Sequence, residues 1–143
     1  MISVAIDGPA GAGKSSLAKR LARDLGYIYV DTGAMYRAVG LYALRAGADP
    51  ADRAAVTALL PGIRLRLAVV DGAQHIYLND EDVSGLIRTE QVGMAASAVG
   101  ANPHVRAFLL ELQRETARTG NVLMDGRDIG TVIPPHATVK IFL

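Results

Sequence analysis

Short, mostly apolar segments alternate along the chain with segments of helical periodicity. Residues 1–6, 27–30, 121–124 and 138–143 are rich in apolar residues and have the length of buried strands. Between them, apolar residues recur three and four positions apart, as at Leu17 and Leu21, which predicts a helix over residues 14–25. The same pattern predicts helices over residues 33–46, 89–99 and 103–119. Strands separated by helices indicate an α/β fold with a parallel sheet.

The middle of the chain shows a different period. Apolar and polar residues alternate over residues 63–67, and an apolar segment returns at residues 75–78. Asp71 and Gly72 between them favour a type I′ turn, so we predict a β-hairpin over about residues 63–79. Asp49 and Pro50 stand in the order of an N-cap and a first helical residue, which predicts a helix from there to Pro61.

The order of these elements predicts a single domain over residues 1–143. Its core would be formed by about residues 1–48 and 103–143, and residues 49–102 would be an insert that contains the hairpin. The last segment, residues 138–143, reads as a buried strand with no helix after it, although parallel sheets are normally covered on both faces. We therefore expect that a C-terminal part of the domain is missing from this chain.

Composition narrows the functional classes. The 143 residues are 50% hydrophobic and carry a net charge of +1, which fits one globular domain and gives no support to nucleic-acid or membrane binding. Cysteine is absent, which excludes disulfides, thiolate metal sites and cysteine nucleophiles. Asp7 interrupts the N-terminal apolar run, so we expect no signal peptide and a cytoplasmic protein. We also expect a monomer.

A glycine-rich segment between the first strand and the first helix fits the pattern G-x-x-x-x-G-K-[ST]. Such a segment turns successive backbone N–H groups toward phosphate oxygens, and the helix N-terminus adds partial positive charge. A lysine at its end stabilises the outer phosphates, and the serine hydroxyl can ligate Mg²⁺. The predicted ATP-binding residues are Gly8, Pro9, Ala10, Gly11, Ala12, Gly13, Lys14, Ser15 and Ser16.

A carboxylate follows a later apolar strand, as in a Walker-B motif. Asp125 comes directly after Val122-Leu123-Met124 and can hold Mg²⁺ together with Ser15. Four-residue matches of this kind are frequent. Asp125 and Asp128 also flank Arg127, and that segment can instead be a tight turn closed by its own ion pair.

A phosphorylated acceptor requires positive charge away from the glycine-rich loop, and arginine binds phosphate oxygens in pairs. Arg37, Arg106 and Arg127 lie near the starts of predicted helices or after a predicted strand. Arg37 can instead be a solvated helix residue, and Arg106 can pair with a nearby acid. Thr32 can be a helix N-cap, the commonest use of threonine at such a position. Tyr36 is the one tyrosine we consider as a ligand contact; the others are interpreted as core or rim residues.

The loop motif alone does not distinguish a kinase from a GTPase switch. The guanine-reading motif Asn-Lys-x-Asp is absent from the sequence, which weakens the switch interpretation.

Four blocks of the sequence resemble bacterial cytidylate kinases, the CMP/dCMP kinases among the P-loop nucleoside monophosphate kinases. The blocks occur in the family's order and are IDGPAGAGKS (6–15), DTGAMYR (31–37), EDVSGLIRT (81–89) and MDGRDIGTV (124–132). The resemblance implies a three-layer P-loop fold with a central parallel sheet and an enlarged monophosphate-binding insert. Members of the family that the chain resembles extend beyond the position of Leu143 into an arginine-bearing lid, which this sequence does not contain.

The same resemblance implies an activity and roles for the site residues. ATP with Mg²⁺ would be the phosphoryl donor and CMP or dCMP the acceptor, with Lys14 and Arg127 catalytic. The CMP-binding residues would be Thr32, Tyr36, Arg37, Arg106, Arg127 and Asp128, with Thr32 and Asp128 reading the cytosine edge. The metal ligands would be Ser15 and Asp125. The alternatives are a catalytically incompetent nucleotide-binding fragment and a P-loop kinase for another small acceptor.

Overall fold

A computed structural model describes residues 2–7, 13–125 and 139–142, with the backbone alone for Asp7, Lys14 and residues 139–142. The strands are β1 (Ser3–Asp7), β2 (Ile28–Tyr29), β3 (Leu65–Val70), β4 (Ala73–Leu78), β5 (Glu81–Asp82), β6 (Val122–Asp125) and β7 (Val139–Phe142). The helices are α1 (Lys14–Leu25), α2 (Thr32–Arg45), α3 (Arg53–Leu59), α4 (Glu90–Gly100) and α5 (Pro103–Thr119).

Four strands form a parallel sheet in the order β2-β6-β1-β7. β1 pairs with β6 on one side and β7 on the other, and Ile6 lies opposite Asp125 in the register. Since the strands are parallel, β1 and β6 end at the same edge of the sheet. The predicted α/β fold with a parallel sheet is confirmed.

Helix α1 covers this sheet, and its predicted bounds are confirmed. The apolar positions of α1 that recur at helical spacing meet residues from three strands in one core cluster. The buried members of that cluster are Val4, Ile6, Ala18, Ala22, Tyr29 and Leu123. Burial of an aliphatic or aromatic side chain contributes about 1.5–3 kcal/mol, so this cluster fixes the start of α1 above the sheet edge.

Helix α2 begins at a cap that differs from one of our expectations. The Asp31 carboxylate accepts a hydrogen bond from the N–H of Ala34 at 3.1 Å and is the N-cap. The alternative interpretation of Thr32 as the cap is therefore wrong, because Thr32 is already the first helical residue. Farther along, α2 packs closely on α4: a Cβ on Gly40 would lie 3.0 Å from the Ala96 nitrogen.

The predicted start of the third helix at Asp49 and Pro50 is wrong. The Asp49 carboxylate accepts from the N–H of Ala51 at 2.9 Å, which closes a turn instead of opening a helix. Asp52 is the N-cap of α3, and its carboxylate accepts from the N–H of Ala55 at 3.1 Å. The helix therefore begins three residues later than predicted, at a cap that the sequence analysis did not identify.

The hairpin prediction is confirmed, with longer strands than expected. β3 and β4 are joined by Asp71 and Gly72, which have φ of 52° and 79° as a type I′ turn requires. Arg64 and Arg66 are exposed between buried neighbours, as the alternation predicted. The two-residue strand β5, which pairs antiparallel with β4, was not predicted.

The chain divides into two compact units. The first comprises the described residues of Met1–Val30, Leu67–Gln74 and Leu112–Leu143, and the second comprises Asp31–Arg66 and His75–Glu111. The division into a core of about residues 1–48 and 103–143 and an insert stays a prediction. Within the described ranges, no helix combines the length and hydropathy needed to span a bilayer.

Candidate active site

The N-terminus of α1 has no side-chain cap in the part of the chain that the structure describes. Its N-cap is Gly13, which is exposed, has φ of 74° and brings no side chain to the first N–H groups of the helix. Helices α2, α3 and α4 instead use Asp31, Asp52 and Thr89 to satisfy theirs. Unsatisfied N–H groups and the positive end of a helix dipole together favour phosphate.

Two oxygen-bearing side chains meet beside this helix end. Ser15 is the second residue of α1, and Asp125 is the last residue of β6. The Ser15 hydroxyl donates to Asp125 Oδ2 at 2.7 Å. A hydroxyl and a carboxylate are the hard oxygen ligands that Mg²⁺ prefers, and Mg²⁺ commonly takes only one or two such ligands from the protein. The residues present therefore fit this ion, and they are the two for which the sequence predicts that role.

A third residue joins this pair without having been predicted. The Tyr29 hydroxyl donates to Asp125 Oδ1 at 2.9 Å. The sequence interpretation kept Tyr29 as a core or rim residue, and its ring does lie in the core cluster with 8% exposure. Only its place on β2, next to β6 in the sheet, directs the hydroxyl to Asp125.

Part of the predicted site lies outside the described residues. The predicted site residues outside the described ranges are Gly8, Pro9, Ala10, Gly11, Ala12, Arg127 and Asp128. The Lys14 side chain also lies outside them, although the Lys14 backbone belongs to the first turn of α1. Ser16 is described and is exposed on α1, one residue after Ser15. The roles assigned to all of these residues stay predictions.

Arg37 is predicted to bind the phosphoryl acceptor and lies in the second unit, where neighbouring residues hold its side chain. Its Nη1 donates to the carbonyl oxygen of Ile87 at 3.0 Å. Its guanidinium atoms lie 3.3–3.5 Å from the position that a Cβ on Gly93 would occupy. Arg37 is half-buried and anchored in this way, so the alternative of a freely solvated helix residue is wrong.

The other described acceptor candidates lie on α2 and α5. Thr32 is exposed at the first residue of α2, and its hydroxyl is not needed as a cap. Tyr36 follows one turn later and is half-buried. Two of its ring atoms lie 3.9 Å from the position that a Cβ on Gly100 would occupy. Arg106 is exposed in the first turn of α5, and no acidic side chain in the described ranges pairs with it. Thr32, Tyr36 and Arg37 thus share two turns of one helix.

These features define a class of fold. The first strand of the parallel sheet leads through a glycine-rich segment into a helix that has no side-chain cap. A serine of that helix is hydrogen-bonded to a carboxylate on the neighbouring strand. This combination defines the P-loop nucleotide-binding fold.

Comparison with known proteins then places the chain within that class. The sequence model of the family described as cytidylate kinase matches residues 4–143. The chain is 50% identical to a cytidylate kinase of Caldicellulosiruptor bescii over 99% of its own length and 63% of the relative's. It is 53% identical to a cytidylate kinase of Mycobacterium leprae over 99% of its own length and 62% of the relative's. The chain belongs to the cytidylate kinase family, which confirms the resemblance noted from its motifs.

These relatives are longer than the chain. A cytidylate kinase of Geobacter sp. strain M21, for example, is 52% identical over 142 residues, which are 99% of this chain and 61% of the relative. The chain thus spans a little over three fifths of the length of the relatives that it matches.

Proposed function

We propose that this chain carries the donor and acceptor sites of a kinase that transfers the γ-phosphoryl group of ATP to CMP or dCMP. The products would be ADP and CDP or dCDP. The observation that carries the proposal is the Ser15–Asp125 hydrogen bond of 2.7 Å at the N-terminus of α1, in a chain of the cytidylate kinase family.

On the donor side, residues 8–16 would enclose the phosphates of ATP. The backbone N–H groups at the start of α1 would face phosphate oxygens, and Lys14 would neutralise charge on the transferred group. Ser15 and Asp125 would hold Mg²⁺, which when bound neutralises charge on the β- and γ-phosphates. Because the Ser15 hydroxyl donates its hydrogen bond to Asp125, its oxygen keeps a lone pair for the metal.

On the acceptor side, the arginines would hold the phosphate of CMP. We assign this role to Arg37, Arg106 and Arg127, with Thr32 and Asp128 at the cytosine edge and Tyr36 beside the ring. Arg37 supports the assignment because its Nη1 is engaged by Ile87 O, which anchors one side of the guanidinium. The insert of about residues 49–102 would form the acceptor-binding part of a single domain.

The chemistry requires no general base. The second pKa of a phosphate monoester is about 6, so CMP is largely a dianion at neutral pH. An oxygen of that dianion attacks the γ-phosphorus, the bond from this phosphorus to the β–γ bridging oxygen breaks, and ADP leaves with the bridging oxygen. Alignment of the reactants and neutralisation of phosphate charge are what the side chains must supply.

The proposal is tested by ADP release in a coupled assay of this chain with Mg²⁺, ATP and CMP, dCMP, UMP or AMP. We expect release with CMP or dCMP above that with UMP and AMP. Preference for another acceptor would support a different small-molecule kinase. ATP binding without ADP release for any acceptor would support a nucleotide-binding module. Either of these two results would overturn the assignment.

A further inference from the structure

The Asp125 carboxylate is held from both sides. Ser15 donates to Oδ2 at 2.7 Å and Tyr29 donates to Oδ1 at 2.9 Å. An aspartate carboxylate on its own turns about a broad torsional minimum, because rotation at an sp³–sp² bond is weakly restricted. With one donor on each oxygen, the carboxylate plane is fixed.

The Tyr29 ring is placed rigidly. It lies in the core cluster with 8% exposure, and the Lys19 ammonium lies 5.8 Å from the ring centroid. On the strand side, the N–H of Val30 donates to the carbonyl of Leu123 at 2.9 Å, which ties the end of β2 to β6. The hydroxyl therefore has little freedom to leave Asp125.

The other edge of β2 is also held. The Gln74 amide accepts from the N–H of Tyr29 at 2.8 Å and donates to its carbonyl oxygen at 2.6 Å. One side chain of β4 thus satisfies both backbone groups of Tyr29, as a neighbouring strand would. All contacts in this series, from Gln74 through Tyr29 and Asp125 to Ser15, lie within the first unit.

We propose that Tyr29 is a positioning residue for the magnesium site: its hydroxyl orients Asp125 so that Oδ2 and the Ser15 oxygen face the metal together. The inference rests on the proposed function only for its use of MgATP. A tyrosine that merely fills the core would do the same work as phenylalanine. If Tyr29 positions Asp125, loss of the Tyr29 hydroxyl weakens binding of the metal and leaves binding of the metal-free nucleotide unchanged.

The test compares Tyr29→Phe with the matched control Tyr27→Phe. Tyr27 packs against the same core cluster, and no bond from its hydroxyl to Asp125 is present. Affinity for the fluorescent analogue mant-ATP is measured in EDTA and across a Mg²⁺ titration, with thermal unfolding as a check on folding. We expect Tyr29→Phe to raise the half-maximal Mg²⁺ concentration about 10- to 100-fold, the equivalent of losing one hydrogen bond to a charged group. Affinity in EDTA should stay at the wild-type value, and Tyr27→Phe should change neither quantity.

A second measurement separates positioning from loosening of the core. In an Asp125→Asn background, Tyr29→Phe should have no further effect on the Mg²⁺ midpoint, because the two residues act as one unit. The inference is overturned by an unchanged or lower Mg²⁺ midpoint in Tyr29→Phe, or by an equal loss of affinity in EDTA. Wild-type protein that binds MgATP but releases no ADP with CMP would overturn the proposed function and leave this comparison intact.

Discussion

At the scale of single residues, the environment of a side chain decides what its chemistry can do. Arg37 belongs to a helix that could present it to solvent, yet its Nη1 donates to Ile87 O and its guanidinium lies against Gly93. A guanidinium has donors in a planar fork, so one edge can bond a carbonyl while another remains for phosphate oxygens. A lysine ammonium at the same place has no such second edge.

This difference gives a prediction for Arg37→Lys. We expect KM for CMP to rise about 10- to 100-fold, the equivalent of losing one charge-assisted hydrogen bond, while KM for ATP changes little. Steady-state kinetics with each substrate varied in turn measure the two constants. Arg64→Lys, on the exposed face of the hairpin, is the control and should leave both constants unchanged. Equal KM values for CMP in Arg37→Lys and wild type would remove Arg37 from the acceptor site.

At the scale of elements, one buried polar side chain links three helices. Asn102 is 2% exposed and lies between α4 and α5. Its Nδ2 donates to Thr57 Oγ1 at 3.2 Å on α3, and its Oδ1 accepts from the N–H of His104 at 2.9 Å. Its amide therefore satisfies the start of α5 and fixes α3 beside it.

Replacement of this amide should destabilise the fold. We expect Asn102→Ala to lower the free energy of unfolding by about 1–3 kcal/mol, because buried polar partners are left unsatisfied. Urea unfolding followed by circular dichroism measures the change. Gln91→Ala, on the exposed surface of α4, should stay within about 0.5 kcal/mol of wild type. If Asn102→Ala loses no more stability than Gln91→Ala, the Asn102 amide does not stabilise the packing of these helices.

At the scale of the whole molecule, acid unfolding should depend on strand β5. The Ser84 hydroxyl and N–H donate to Asp82 and, with His75 2.7 Å away, hold the pKa of that carboxyl below its usual range. The Arg45 guanidinium likewise lowers the pKa of Glu81 through a hydrogen bond of 2.6 Å. A lowered pKa in the folded state means that the unfolded chain binds a proton first as the pH falls.

These carboxylates thus contribute stability above pH about 4, and the contribution is lost as the pH falls through their lowered pKa values. We expect Asp82→Asn to be less stable than wild type at pH 7, and the difference to shrink below pH about 4. Urea midpoints at pH 7, 5 and 3.5 measure it. Asp80→Asn removes the same charge in the adjacent turn and serves as the control. A difference between Asp82→Asn and wild type that does not change with pH would contradict this account.

Local patterns determined much of this protein from the sequence by itself. The bounds of α1, the hairpin turn at Asp71 and Gly72, and the order of strands and helices follow from residues that are close neighbours in the chain. The four sequence blocks over residues 6–15, 31–37, 81–89 and 124–132 are also local patterns, and together they identified the family that the comparison with known proteins confirmed. The start of α3 was predicted wrongly, because Asp49 and Pro50 have the local order of a helix start whereas Asp52 is the residue that caps the helix.

Only the tertiary structure decided which distant residues meet. The Tyr29–Asp125 bond joins residues 96 positions apart, and the Arg37–Ile87 bond joins residues 50 positions apart. Helical and strand periodicities report which face of an element is apolar, but they do not say which strand lies beside which. The sheet order β2-β6-β1-β7 makes that choice, and it places the tyrosine hydroxyl on the carboxylate.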